Sequence, residues 1–104
     1  MELGSFSLTR DEIVRFAAKW DAQPFHLSEE AAAASPLKSL SASGWHTLSI
    51  IAGLLEKNGH PFTGAASVKW AKPLFPDLRH SARLEDGWVR LTDAQGDLVC
   101  EVQL

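Results

Sequence analysis

From Gly44 to Lys57 the chain reads as a helix with almost no polar side. Trp45, Leu48, Ile50, Ile51, Leu54 and Leu55 put apolar groups on nearly every face, and a helix of that kind is buried rather than surface-lying. Ser49, Ala52 and Gly53 are small, so another element can pack closely against them. Asn58-Gly59 supplies a C-terminal stop. A chain of 104 residues makes one domain, 1–104. It must cover this rod with most of what remains, and so short a chain favours sharing a core with a second copy.

What remains on the C-terminal side is strand-like. Ala66, Val68 and Trp70 alternate with Ser67, Lys69 and Ala71, and Leu78, His80, Ala82 and Leu84 alternate with Arg79, Ser81 and Arg83. Asp86-Gly87 is a tight-turn signal before a strand from Trp88 to Thr92. Asp93-Ala94-Gln95-Gly96 is a second turn, and Leu98 to Leu104 closes the chain. Helices followed by hairpin-linked strands argue for an α+β fold, a long central helix wrapped by an antiparallel β-sheet.

The N-terminal part is helical after a short strand at Phe6-Ser7-Leu8. Thr9-Arg10-Asp11-Glu12 forms a capping box. Ile13, Phe16, Ala17 and Trp20 then make one apolar face. Pro24 disfavours a helical residue before it, so this helix ends near Asp21. Ser28 caps a second, short helix whose first turn holds Glu29 and Glu30. Ala31 to Ala34 continue it until Pro36, as a packing spacer.

Composition excludes several classes of function. The net charge of −3 leaves no basic field for nucleic acid. No apolar run approaches the ~20 residues of a membrane helix. The first residues lack a basic and an apolar region of the signal-peptide type, so a cytoplasmic location is expected. Cys100 is the only cysteine; it permits no intrachain disulfide and reads as a half-buried strand residue. His60 and His80 have no metal-ligand spacing, and Gly53, Gly59 and Gly64 form no phosphate loop. No metal and no cofactor are expected.

The chemistry concentrates in Asp21-Ala-Gln-Pro-Phe-His26 and in Ser43-Gly44-Trp45-His46. The first places a carboxylate and an imidazole five positions apart around a proline that stiffens the loop between them. The second opens the apolar helix with a glycine, whose missing side chain lets a ligand approach the free N–H groups and positive dipole end. Neutral His26 can accept a proton from water, and Asp21 can accept another hydrogen bond from the same water. The helix start can take the charge that develops on a carbonyl oxygen. Singly, Asp21 also reads as a helix-closing residue, and His26 and His46 as packed, hydrogen-bonded histidines.

These residues resemble the MaoC-like dehydratase family, which includes the (R)-specific enoyl-CoA hydratases. The family pattern runs from an aromatic-Ala helix through Asp-x-Asn-Pro-(hydrophobic)-His to a His-Gly-(hydrophobic) helix start. Phe16-Ala17, Asp21-Ala-Gln-Pro-Phe-His26 and Ser43-Gly44-Trp45 match it over residues 6–56 without a gap. Ala42-Ser43-Gly44-Trp45-His46-Thr47 is similar to a common subgroup. The resemblance implies the hotdog fold, paired into a dimer, here a homodimer. It implies Asp21 and His26 as the catalytic dyad, and Gly44, Ser43 and Trp45 as the oxyanion and substrate-binding residues. The substrate would be an acyl-CoA or acyl-carrier-protein thioester.

Three departures stand out. Gln23 replaces the usual Asn, and Ser43 replaces a frequent His. Pro73-Leu-Phe-Pro76-Asp77-Leu78 lacks the glycine of the family's Pro-x-x-Pro-Gly-Asp segment, and the hairpin after it is short. The shortened sheet keeps open a non-catalytic hotdog acyl-thioester-binding module or subunit as the alternative to a lyase, with a thioesterase third. Lys69, Lys72, Arg79 and Arg83 read first as a solvated strand face and second as contacts for coenzyme A phosphates.

Overall fold

The structure, a computed structural model, describes residues 1–35 and 39–104. Among these the elements run β1 (Glu2–Phe6), α1 (Arg10–Trp20), α2 (Pro24–Leu27), α3 (Glu29–Ala33), α4 (Gly44–Lys57), β2 (Ser67–Trp70), β3 (His80–Glu85), β4 (Trp88–Asp93) and β5 (Leu98–Gln103). They form two compact units. One comprises Met1–Phe6, Ser49–Lys72 and Arg79–Leu104; the other comprises Ser7–Leu48 and Pro73–Leu78. No helix among the described residues is long and apolar enough to cross a membrane.

The first unit is an antiparallel sheet in the order β1-β3-β4-β5-β2, with the C-terminal part of α4. Asp86 and Gly87 both take positive φ, 52° and 80°. That is the geometry a two-residue hairpin loop between β3 and β4 requires. One face of the sheet is apolar: Ala82, Leu91 and Cys100 lie in one cross-strand row and Leu84, Val89, Val102 and Val68 in the next. Cys100 is fully buried rather than half-buried, and burial pushes its thiol up to about 11. Trp70, on edge strand β2, has no second neighbour strand and remains about half exposed.

The opposite face carries one charged row across all five strands: Glu2, Arg83, Arg90, Glu101 and Lys69. Arg83 lies directly opposite Arg90, a pairing that repels. Each arginine has its own acid: Arg83 pairs with Glu2 and Glu85, and Arg90 with Glu101 at 3.3 Å. Lys69 sits over the Trp88 ring, and Lys72 bonds Asp93 at 2.6 Å. Three of the four basic residues weighed as phosphate contacts are thus engaged within their own unit. The solvated-face reading accounts for them.

Within this unit α4 meets β1 where side-chain bulk is missing. Gly4 has φ 134° beside a register shift in β1, and a Cβ there would stand 3.3 Å from Leu54 Cδ2. Asn58 Nδ2 donates to Leu3 O and Leu54 O. Gly59, at φ 81°, ends the helix: its N–H reaches Glu56 O while the His60 N–H reaches Leu55 O, the Schellman arrangement. Ile51 and Leu55 are fully buried. Trp45, Ser49 and Gly53, at helical spacing, are exposed. The helix is therefore not enclosed on every side in the single chain, contrary to its sequence pattern.

In the second unit, α1 opens with the expected capping box, Glu12 N–H to Thr9 Oγ1 and Thr9 N–H to Glu12 Oε1, both 3.1 Å. Ile13 and Ala17 are fully buried, but Trp20 at the last turn is exposed, so the apolar face is one residue type short of its sequence reading. Ser28 caps α3 as expected, its Oγ accepting from Ala31 N–H; Pro36, the expected stop, lies outside the described residues. The strand expected at Phe6-Ser7-Leu8 lies earlier, at β1. Leu8 instead gives its carbonyl to Asp77 N–H at 2.7 Å, and Ala42 N–H bonds Leu74 O at 2.9 Å. The segment Pro73–Leu78 is held at both points. Arg10 joins Glu29 at 2.6 Å and Asp77 at 3.7 Å.

Two stability predictions follow from this packing. Asp77 has φ 61°, the left-handed conformation that glycine takes without strain. Asp77→Val should lower stability by about 1–2 kcal/mol, while Asp77→Gly stays within about 1 kcal/mol of wild type; urea unfolding compares them. His46 is buried, its ring stacked on Phe16 at 4.2 Å, and burial holds its pKa below the ordinary 6.5, with Glu12 opposing. The unfolded chain then binds the proton more readily, so stability falls as pH drops below that value. The loss of melting temperature between pH 8 and pH 5 should be smaller in His46→Leu than in wild type.

Candidate active site

Asp21 closes α1. Its N–H bonds Ala17 O at 2.8 Å, and its backbone, at φ −158° and ψ 72°, leaves the helix. Gln23 follows in an extended conformation, φ −74° and ψ 137°, as a residue before proline should. Pro24 then starts a helical turn. It occupies the first position of α2, where a missing N–H costs nothing and the fixed φ suits a helix. The stretch expected as a stiff loop is therefore largely this turn, and it carries His26 on its third residue.

The turn points the two side chains at one another. His26 Nε2 lies 3.7 Å from Asp21 Oδ2, and both side chains are largely buried, 8% and 16% exposed. His26 Nδ1 is 2.7 Å from Ser41 O. A carbonyl only accepts, so Nδ1 carries a proton and, in the neutral ring, Nε2 holds the lone pair. Phe25 packs edge-on against the imidazole with centroids 4.5 Å apart.

Asp21 is held by two donors. Gln23 Nε2 donates to Oδ1 at 2.9 Å and Ser43 Oγ donates to Oδ2 at 2.7 Å. The Gln23 amide first, then the Ser43 hydroxyl, lower the carboxyl pKa below its ordinary value; burial opposes them and His26 adds a smaller lowering. Asp21 is thus an ionised acceptor at neutral pH.

Ser43 is fully buried and also begins α4. Its Oγ accepts from Trp45 N–H at 3.2 Å, and its carbonyl takes Thr47 N–H at 3.1 Å. The hydroxyl therefore links the positive end of α4 to the carboxylate. The Trp45 amide is committed to this cap and its ring is 67% exposed. The Gly44 N–H has no hydrogen-bond partner among the described residues.

Of the five residues expected at the site, the structure brings Asp21, His26 and Ser43 within reach of one another, with Gly44 next in the chain. Trp45 enters through its backbone and not through contact with the carboxylate or imidazole. Two participants had no sequence assignment. Ser41 acts through a carbonyl, which every residue possesses and no motif marks. Gln23 stood out only as a departure; its place before the proline was the available signal.

Residues 4–99 match the family model described as the MaoC like domain. A curated relative, the uncharacterized protein YdeM of Bacillus subtilis (strain 168), is 32% identical over 79 residues, which cover 70% of this chain and 56% of that protein. The chain thus aligns to little more than half of that relative's length. Among solved structures, the MaoC-like dehydratase from Rhodospirillum rubrum is 26% identical with a TM-score of 0.82, covering 98% of this chain and 84% of that one. The (R)-hydratase from A. caviae involved in PHA biosynthesis, at 22% identity and a TM-score of 0.76, covers 95% and 86% and shares the fold. Sheet, helix and match agree: this chain is a hotdog protein and belongs to the MaoC-like domain family.

Proposed function

We propose that the chain hydrates trans-2-enoyl thioesters, or dehydrates 3-hydroxyacyl thioesters in reverse, with Asp21 and His26 as the acid–base pair. The observation that carries this reading is the approach of His26 Nε2 to Asp21 Oδ2 at 3.7 Å, with Nδ1 already committed to Ser41 O. The imidazole is then oriented with its accepting nitrogen toward the carboxylate, a spacing that suits two groups sharing one substrate water.

In the forward direction the water oxygen bonds to C3 of the enoyl group while one water proton passes to His26 Nε2. The C2–C3 π electrons move toward the thioester, whose oxygen becomes negative. Collapse of that enolate takes the proton from Nε2 to C2 and restores the neutral imidazole. Asp21 Oδ2 accepts a hydrogen bond from the second water hydrogen, which stays on oxygen as the new C3 hydroxyl, and stabilises the transient imidazolium. The Gly44 N–H at the start of α4, without a hydrogen-bond partner among the described residues, would be the donor to the enolate oxygen. Ser43 would serve by orienting Asp21 and Trp45 by its capping amide. An acyl-CoA or acyl-carrier-protein thioester is the substrate class, with residues 1–104 as one domain that acts as a homodimer.

The test is loss of the enoyl absorbance of crotonyl-CoA, with binding measured alongside. Asp21→Asn and His26→Ala should each lower kcat by about 10²-fold or more. Ser43→Ala should lower it by about tenfold, all with an unchanged far-UV circular dichroism spectrum. Near-normal turnover in either dyad variant rejects the assignment. Binding of crotonyl-CoA without consumption by wild type replaces the lyase with an acyl-thioester-binding module.

A further inference from the structure

Gln23 is tied to both members of the pair. Its backbone N–H donates to Asp21 O at 2.8 Å and its carbonyl accepts from His26 N–H at 2.9 Å. Its side-chain Nε2 donates to Asp21 Oδ1 at 2.9 Å. The first two bonds fix the backbone on either side of Pro24 and need no particular side chain. The third needs a side-chain donor at this position with this reach.

A carboxylate can rotate about its Cβ–Cγ bond, and one hydrogen bond leaves that rotation loosely defined. Ser43 Oγ holds Oδ2 at 2.7 Å, and Oδ2 is also the oxygen nearest His26 Nε2. With the Gln23 amide on Oδ1 the two oxygens have different partners and cannot exchange without breaking both bonds. We propose that Gln23 is a positioning residue of this site, whose amide clamps Asp21 Oδ1 and so dedicates Oδ2 to Ser43 and His26. The residue itself is exposed, and its side chain reaches the site through Asp21. The same bond is the largest contribution to the lowered Asp21 pKa, so the clamp also keeps the carboxylate ionised.

The effect on turnover rests on the hydratase reading, whereas the clamp itself is measurable without it. Gln23→Met keeps the length and both backbone bonds and removes the donor. Gln23→Glu keeps the shape and substitutes an acceptor that repels Asp21. With aspartate labelled at the carboxyl carbon, 13C NMR follows the Asp21 titration, assigned by comparison with Asp21→Asn. Both variants should move that titration to higher pH, Gln23→Glu further than Gln23→Met. On crotonyl-CoA, kcat of Gln23→Met should fall about tenfold with KM within about twofold, and the acid limb of the kcat profile should move to higher pH.

An Asp21 titration that coincides with wild type in both variants overturns the proposal. So does an unchanged kcat, or a loss confined to KM, in an enzyme that turns over. If wild type leaves crotonyl-CoA intact, the hydratase reading fails by itself and the titration alone decides the clamp. Gln23 is exposed, so both variants keep the fold; they differ in charge, so agreement between them separates loss of the donor from any other disturbance.

Discussion

A carboxylate taken largely out of water must recover what it loses in hydration, and the candidate site is organised around how Asp21 does so. Two neutral donors bind its two oxygens, Gln23 on one and Ser43 on the other. Hydrogen bonds to a charged group contribute about 1.5–3 kcal/mol each, enough to keep the acid ionised against burial. The Ser43 hydroxyl is also the N-terminal cap of α4. One atom therefore closes the orphan amide of Trp45 and anchors the carboxylate. Removing it leaves the amide and the carboxylate each short of a partner.

The second half of the arrangement is the helical turn Pro24–Leu27. Without Pro24 at its start the chain leaving α1 has no reason to turn so soon. With it, His26 is raised opposite Asp21 and its Nδ1 meets the Ser41 carbonyl. That bond determines which ring nitrogen can accept a proton. The geometry of the pair is thus set by a cap, a turn and a backbone carbonyl, and none of these is itself reactive.

Much of the fold was legible because its signals are periodic or local. The Thr9/Glu12 box, the Ser28 cap, the Asp86-Gly87 turn and the alternation along β3 and β4 each depend on residues close in sequence. What escaped depends on neighbours distant in the chain. Trp20 fits the apolar face of α1 by spacing, yet lies at its last turn and stays exposed. Trp45, Ser49 and Gly53 leave one stripe of α4 open, which apolar content alone did not reveal. In the site, the order of Asp21, His26 and Ser43 was readable from spacing; Ser41 was not, because its contribution is a carbonyl. Asp77 shows a departure absorbed by the backbone: a residue with a Cβ holds the conformation expected of glycine.

The candidate site depends most directly on the protonation of one ring. With Nδ1 donating to Ser41 O, neutral His26 must be the Nδ1–H tautomer, leaving Nε2 to face Asp21. Long-range 1H–15N correlation spectra of the imidazoles at pH 8, assigned with His26→Ala, report this tautomer through the two nitrogen shifts. The bond to Ser41 O predicts a protonated Nδ1 and an unprotonated Nε2. A His26 signal with the proton on Nε2 would contradict it.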